Sequence, residues 1–371
     1  MRRCIFHYPE PVTKNPTAGS ALRPNRMLQA FQNIGYEVDE VTGYSSERCE
    51  KIKEIRKRIN EGTVYDFVYS ESVNSPTLMT DADHIPRHPL MDFRFFNYCR
   101  KAGIPVALFY RDMQWKFSDI FNAAAPFWKR MILIPMYYYD LFQYSRSLDL
   151  LYLPTVQMKK YVKPDLPYKS LPPAGSIHED SLMVKRDRSP LCDHKLRIFY
   201  VGGMSNLYDN RKLIQAVKDT EDVFLTICTH MDQWQKFQNN YGTNLCDRIR
   251  IISKSSDELK PFYEESDIAA CCMDDNPYLD IAMPIKCMEA VSYGTPLLVT
   301  RMEAVSDFVK VNQIGWSVDT TSEAIRLQLE YLKEHPEEIR EKTKNTIAAA
   351  YHNTWEDRAR QAAEDLTKEK R

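Results

Sequence analysis

What this 371-residue chain lacks removes several classes of function at once. Its nine cysteines are scattered, with no CxxC pair and no His/Cys cluster at metal-ligand spacing, so neither a zinc module nor a disulfide framework is expected. Cys271 and Cys272 are adjacent in an apolar run, which suits core packing in a reducing cytoplasm. Charge of one sign is missing too: 50 Lys and Arg against 51 Asp and Glu leave a net charge of −1 and no basic field for nucleic acid. Long hydrophobic runs are absent. The apolar stretch 131–139 is broken by Pro135 and far too short to cross a bilayer, and no signal peptide is read. These exclusions point to a cytoplasmic protein, soluble or attached peripherally at the inner face of the cell membrane.

What is present is alternation. Residues 3–7, 37–41, 65–69 and 104–110 read as strands, and helical spacing separates them, as at Met27, Leu28, Phe31 and Ile34 before Gly35. Helices are also expected over 49–59 and 89–102. A Pro-, Ser- and charge-rich linker at 162–194 precedes a second series. Its strands are read at 196–201, 223–228, 249–252, 268–273 and 296–300, with helices at 210–217, 258–265 and 285–292. Two α/β domains with doubly wound, mostly parallel sheets follow, facing each other across a ligand-binding cleft. The expected bounds are 1–170, 171–350 and a final helical segment, 351–371, that returns to the first domain.

The richest stretch is 284–303. A loop ending in Met283, Pro284 and Ile285 leads to a short helix carrying Lys286 and Glu289, closed by Gly294 before a buried strand. A cation, a carboxylate and the free N–H groups of a helix start then address one small volume. That set suits a ligand with phosphates and a ribose diol; an ordinary αβ unit with two surface charges is the plain alternative. In the first domain, Arg111 and Asp112 directly follow a buried strand, where unpaired charge is costly. They read either as an internal ion pair holding a loop or as part of a site. His7, His84, His88 and His230 are isolated and read as structural.

Six segments in order over almost the whole chain carry a likeness: Gly-Ser-Ala-Leu-Arg-Pro from Gly19, Phe-Tyr-Arg-Asp from Phe109, Leu-Pro-Pro-Ala-Gly from Leu171, Tyr-Val-Gly-Gly-Met from Tyr200, Pro-Ile-Lys-Cys-Met-Glu from Pro284 and Asn-Thr-Trp-Glu-Asp-Arg-Ala from Asn353. The chain resembles GT-B glycosyltransferases, most closely the family 4 (group 1) type of bacterial capsular and exopolysaccharide clusters. The resemblance implies a retaining enzyme using a UDP-, GDP- or TDP-sugar and a saccharide or lipid-linked saccharide acceptor. It assigns Glu289 to the ribose and Lys286 to the departing phosphate, and brings the Gly202–Gly203 loop against the diphosphate. Gly19 and Ser20, at the start of the first helix, would offer N–H groups to the same diphosphate. Arg111 would contact a phosphate and Asp112 would orient the acceptor hydroxyl. Trp355 would anchor the returning helix.

The chain also departs from that pattern. The family's first glutamate falls at Ile281, beside Asp280, and its two loop cations fall at Gly203 and Tyr208. Lys286 is then the substitute, assisted by Asn206, Arg211 or Lys212. No Asp-x-Asp is placed to hold a diphosphate metal: Asp81 and Asp83 lie on an N-terminal loop, and Asp274 and Asp275 are consecutive. No metal and no cofactor are expected. The aromatic stretch 127–145, interleaved with Lys129 and Arg130, reads as a packed helix or a peripheral membrane contact. Two rival functions stay open, a non-catalytic accessory subunit of the same fold and a sugar-nucleotide epimerase of the same architecture.

Overall fold

The computed structural model describes residues 2–12, 19–163, 165–191, 193–241 and 245–368. They form two compact units, one running to Pro173 and taking back the segment from Trp355, the other spanning Ala174 to Thr354. The first is built on β1 (Arg3–Tyr8), β2 (Glu37–Thr42), β3 (Phe67–Glu71), β4 (Val106–Phe109), β5 (Leu150–Leu153) and β6 (Tyr168–Ser170). These pair in the order β2-β1-β3-β4-β5-β6, every ladder parallel. The second holds β7 (Leu196–Val201), β8 (Val223–Cys228), β9 (Ile249–Ile252), β10 (Ile268–Cys271), β11 (Leu297–Thr300) and β12 (Gly315–Val318). Their order is β12-β11-β10-β7-β8-β9, again wholly parallel. Parallel strands need helical crossovers on both faces, which is why β3, β4 and β5 are buried along their length and β4 and β5 are continuous apolar runs.

The linker expected at 162–194 is instead ordered: it contains the edge strand β6 and the helix Glu179–Asp187. β6 is a three-residue edge strand with two exposed residues, so it shows no apolar run for a sequence reading to detect. Pro135 does not interrupt the helix Phe127–Ser147, which runs through it. The charged C-terminal region makes three helices, Ser322–Glu334, Pro336–Ala350 and Trp355–Lys368. The last packs against the first helix, Gly19–Asn33, and buries Trp355 beneath the guanidinium of Arg23.

A buried polar knot fixes the loops of the first sheet. Arg48, on the helix Ser45–Asn60, is 2% exposed and donates to both carboxylate oxygens of Asp92 at 3.0 and 2.9 Å. It also donates to the carbonyls of Pro9 and Gly43 and to Thr80 Oγ1. The register that sets His7 beside Ser70 lets His7 bridge Ser70 Oγ at 2.8 Å and Asp92 at 3.0 Å. Burial lowers the His7 pKa and keeps the ring neutral; Nε2–H then donates to Asp92 while Nδ1 accepts from Ser70. Burial works against the Asp92 charge, yet Arg48 and His7 hold its carboxyl well below the usual range. Removing one member leaves an uncompensated buried charge, so Arg48→Ala is expected to destabilise this unit by about 3–5 kcal/mol, read as a lowered urea midpoint.

Candidate active site

In the second sheet the chain runs from β7 to β8 and β9 on one side, then returns to β10 on the other. The crevice beyond the carboxyl ends of β7 and β10 is therefore the switch point, where open α/β sheets take their ligands. Gly202 follows β7 with a φ of 150°, and a Cβ there would lie 3.2 Å from both Lys286 Nζ and Tyr200 Oη. Only glycine leaves room for the lysine over the loop. Lys286 sits in the first turn of the helix Ile285–Ser292, donates to Tyr200 Oη at 3.3 Å and lies 4.4 Å from the Tyr200 ring and 5.3 Å from that of Tyr208. Tyr200 in turn donates to the Gly203 carbonyl at 2.8 Å. Desolvation opposes the Lys286 charge, but Tyr200 and the Cys271 and Cys287 thiols outweigh it, raising its pKa so that it remains a cation.

Glu289 lies one turn further along the same helix face. Tyr263 Oη reaches its carboxylate at 3.4 Å, and burial pushes the carboxyl up to about 7. Tyr263 is backed by a stack: Tyr293 lies 4.5 Å from it, and His178 lies 4.0 Å beyond Tyr293. The structure thus brings Gly202, Gly203, Tyr208, Lys286 and Glu289 onto neighbouring elements of one unit. Met283, Pro284 and Ile285 form the half-buried turn that starts the helix.

Other expected contributors are turned elsewhere. The Asp280 carboxylate accepts the Glu303 amide at 3.3 Å. Ile281, at the position of that glutamate, is 4% exposed and belongs to the core. Arg211 pairs with Asp209 at 2.5 Å and Lys212 with Asp274 at 2.7 Å. Asn206 is exposed on the loop, whose turn is pinned by Ser205 Oγ accepting the Leu207 and Tyr208 amides. Among the described residues no three His, Cys, Asp or Glu side chains gather to hold a metal.

In the first unit, Arg111 and Asp112 follow β4, but the ion pair runs elsewhere. Arg111 Nη2 lies 3.6 Å from Glu71 Oε2, and Asp112 Oδ1 accepts the Gln114 amide at 3.1 Å to open the turn Gln114–Lys116. Glu71, the last residue of β3, is fully buried and also receives Arg23 Nε at 3.1 Å and Tyr69 Oη at 3.0 Å. Arg23 lies flat on Phe109, 3.5 Å from the ring centroid. Glu71 falls outside the strand read at 65–69, and Arg23 lies on the helix Gly19–Asn33, where nothing in the sequence pairs it with Glu71. A charge at the end of a buried strand is the same signal that singled out Arg111, and it would have found Glu71. Gly19 and Ser20 do open the helix Gly19–Asn33, with their side chains outside the described residues.

Residues 184–352 match the family model described as "Glycosyl transferases group 1". Sucrose-phosphate synthase from Thermosynechococcus elongatus superposes with a TM-score of 0.64 at 13% identity, over 99% of both chains. HepE from Anabaena, solved in complex with UDP, gives 0.64 at 12% identity over 99% of this chain and 100% of that one. WaaG, a glycosyltransferase involved in lipopolysaccharide biosynthesis, gives 0.57 at 12% identity over 99% of both chains. No curated protein matches in sequence. The chain has the GT-B glycosyltransferase fold. Within that fold class, the segment 184–352 is similar to the group 1 glycosyltransferases.

Proposed function

We propose that the protein is a retaining glycosyltransferase that moves a hexose from a nucleoside diphosphate sugar to a sugar hydroxyl. The observation that carries this reading is the helix Ile285–Ser292, which sets Lys286 over the Gly202 loop and Glu289 one turn away at a switch point. Glu289 accepts the ribose hydroxyls, the Gly202–Gly203 backbone approaches the diphosphate, and Lys286 offsets the charge on the departing phosphate. The fixed ammonium supplies the positive charge without a metal. UDP as the nucleotide draws support from HepE, which was solved with it. A thermal-shift series with UDP, GDP, TDP, ADP and CMP tests the reading, since a ligand that binds the native state raises the midpoint by mass action. A response to one nucleotide supports a donor site. Silence from all of them, confirmed by calorimetry, would favour a non-catalytic relative, the reading that the buried Ile281 supports.

Asp112 is assigned to orienting the acceptor hydroxyl, and Arg111, steadied by Glu71, to an anionic group of donor or acceptor. Asp112→Asn keeps the acceptor oxygen of the Gln114 turn and removes the charge. Turnover is expected to fall about 100-fold; unchanged turnover would leave Asp112 a turn residue only.

The acceptor is assigned to a lipid-linked precursor of a surface polysaccharide, at the inner face of the membrane. Among the described residues no helix is long and apolar enough to cross a bilayer. The helix Phe127–Ser147 nevertheless leaves Phe127 69% and Trp128 61% exposed beside Lys129 and Arg130. Aromatic rings with adjoining cations suit an anionic headgroup layer. Replacing Phe127 and Trp128 with Ser should lower co-sedimentation with anionic vesicles at least tenfold, given about 1.5–3 kcal/mol for each large apolar side chain buried. Equal sedimentation would place that helix outside any membrane contact.

A further inference from the structure

The second unit contains a cavity of about 480 Å³ at the opposite end of its sheet from the Gly202 loop, beneath the residues that lead into β10. Two helices wall it, Glu179–Asp187 and Pro336–Ala350, and Ser266 and Asp267 close its floor. Five lining cations, Lys185, Arg186, Arg188, Arg340 and Lys344, meet three carboxylates, Asp267, Glu337 and Glu341. Asp267 is bound to Arg188 at 2.6 Å, Glu337 to His335 at 3.0 Å, and Glu341 lies 3.7 Å from Lys342. Among the described residues, Lys185, Arg340 and Lys344 form no ion pair with a carboxylate. Lys185 is 4% exposed and donates to the Ser266 carbonyl, and Arg340 touches Ser189 Oγ at 3.2 Å. Burial and the nearby Arg188 pull the Lys185 ammonium down to about 7, while Asp267 and Glu264 act in the opposite sense. A buried cation held at that cost is stabilised by an arriving anion. Much of the remaining wall is apolar, from Pro190, Ile339, Ile347 and the stems of the long cations.

The cavity is also joined to the donor helix. Gly294, which ends Ile285–Ser292 with a φ of 73°, packs on its lining: a Cβ there would meet Ile347 Cγ1 at 3.0 Å and Lys185 Cβ at 3.4 Å. Movement of either wall therefore presses on the end of the helix that carries Lys286 and Glu289. The same two helices lie within about five residues of the points where the chain passes between its units, at 173–174 and 354–355.

We propose that this cavity is an effector site for a small organic anion, a phosphate or carboxylate on an apolar body, whose occupancy changes nucleotide affinity through Gly294. The coupling half of this inference rests on the donor-site reading above; the binding half does not. Coupling requires that the anion interact differently with the two states of the helix, and by linkage the nucleotide must alter anion affinity by the same factor.

Calorimetric titration of the intact protein with phenyl phosphate, inorganic phosphate and phenol tests it, each with and without saturating UDP. One saturable phenyl phosphate site is expected, at least tenfold tighter than for inorganic phosphate or phenol, and still present under saturating UDP. The surface double variant Arg340→Ala/Lys344→Ala should weaken that site at least tenfold and leave UDP affinity unchanged when no anion is present. Lys185→Met should weaken it as well, with a circular dichroism spectrum confirming the fold. Filling the cavity should shift UDP affinity at least threefold. No phenyl phosphate binding, or binding untouched by the double variant, overturns the site; inorganic phosphate binding as tightly overturns its apolar half. A full cavity with unchanged UDP affinity overturns the coupling. If UDP itself fails to bind, the donor reading falls, while the phenyl phosphate titration still decides the cavity.

Discussion

Glu289→Ala is expected to weaken nucleotide binding by about 100-fold or more, because two hydrogen bonds from ribose hydroxyls to a charged acceptor contribute about 1.5–3 kcal/mol each. The buried position of the carboxylate adds a pH signature that simple loss of fold would not give. Burial pushes Glu289 up to about 7, so the free protein holds a proton there at pH values where an exposed glutamate is ionised. The ribose hydroxyls are donors and select the ionised form. Binding therefore releases that proton below pH 7, and affinity should fall up to tenfold for each unit of acidification. Above pH 7 it should level off. Glu289→Gln keeps the shape, and its weak affinity should show no such slope. The unliganded fold shows the opposite trade. With a folded value near 7 against an ordinary 4.5, the native state binds more protons between those limits, so this group's contribution to stability declines as pH rises through that window. Glu289→Gln should consequently raise the melting midpoint above pH 7 while reducing binding. Unchanged nucleotide affinity in both variants would remove the ribose assignment.

Lys286→Met should reduce kcat by about 100- to 1000-fold, the range for deleting one fixed donor aimed at developing charge, with a smaller effect on donor binding. The split matters. An interaction made equally in ground and transition states would raise KM and spare kcat. Structure gives the reason for expecting the larger effect on turnover: Lys286 is the cation placed against the Gly202 loop, since Arg211 and Lys212 are tied to Asp209 and Asp274. Gly202→Ala is a second route to the same defect, because its methyl would arrive 3.2 Å from the ammonium and from Tyr200 Oη. A Lys286→Met enzyme with normal turnover would mean that the leaving group is neutralised by some other part of the molecule.

Parts of this site could be read along the chain because their spacing is local. Lys286 and Glu289 are three residues apart, so any helix there puts them on one face, and Gly294 marks the stop by favouring a left-handed residue. The loop glycines are legible for a similar reason, since they directly follow the apolar end, Ile198–Val201, of a buried strand. The surroundings of Asp280 are not legible in the same way, because proximity in sequence to a motif position says nothing about side-chain direction. The short helix Pro277–Ile281 carries Ile281 into the core, and the Asp280 carboxylate instead receives the Glu303 amide. β6 and the helix Glu179–Asp187 went unread because a three-residue exposed edge strand and a short charged helix have little apolar periodicity.

Composition and period by themselves determined that the chain would make two parallel α/β sheets, that no overall charge would draw nucleic acid, and that a cation and a carboxylate would share one short helix. These are properties of residues within a few positions of each other, where backbone geometry leaves little choice. The partners of those residues were decided only in three dimensions. Arg111 turns to Glu71 across forty residues of sequence, Lys286 lies over Gly202 across eighty-four, and Glu289 is raised to about 7 by packing beside Tyr263. Such pairs depend on which strands become neighbours and in what register, and burial then sets their charge. Local sequence encodes neither.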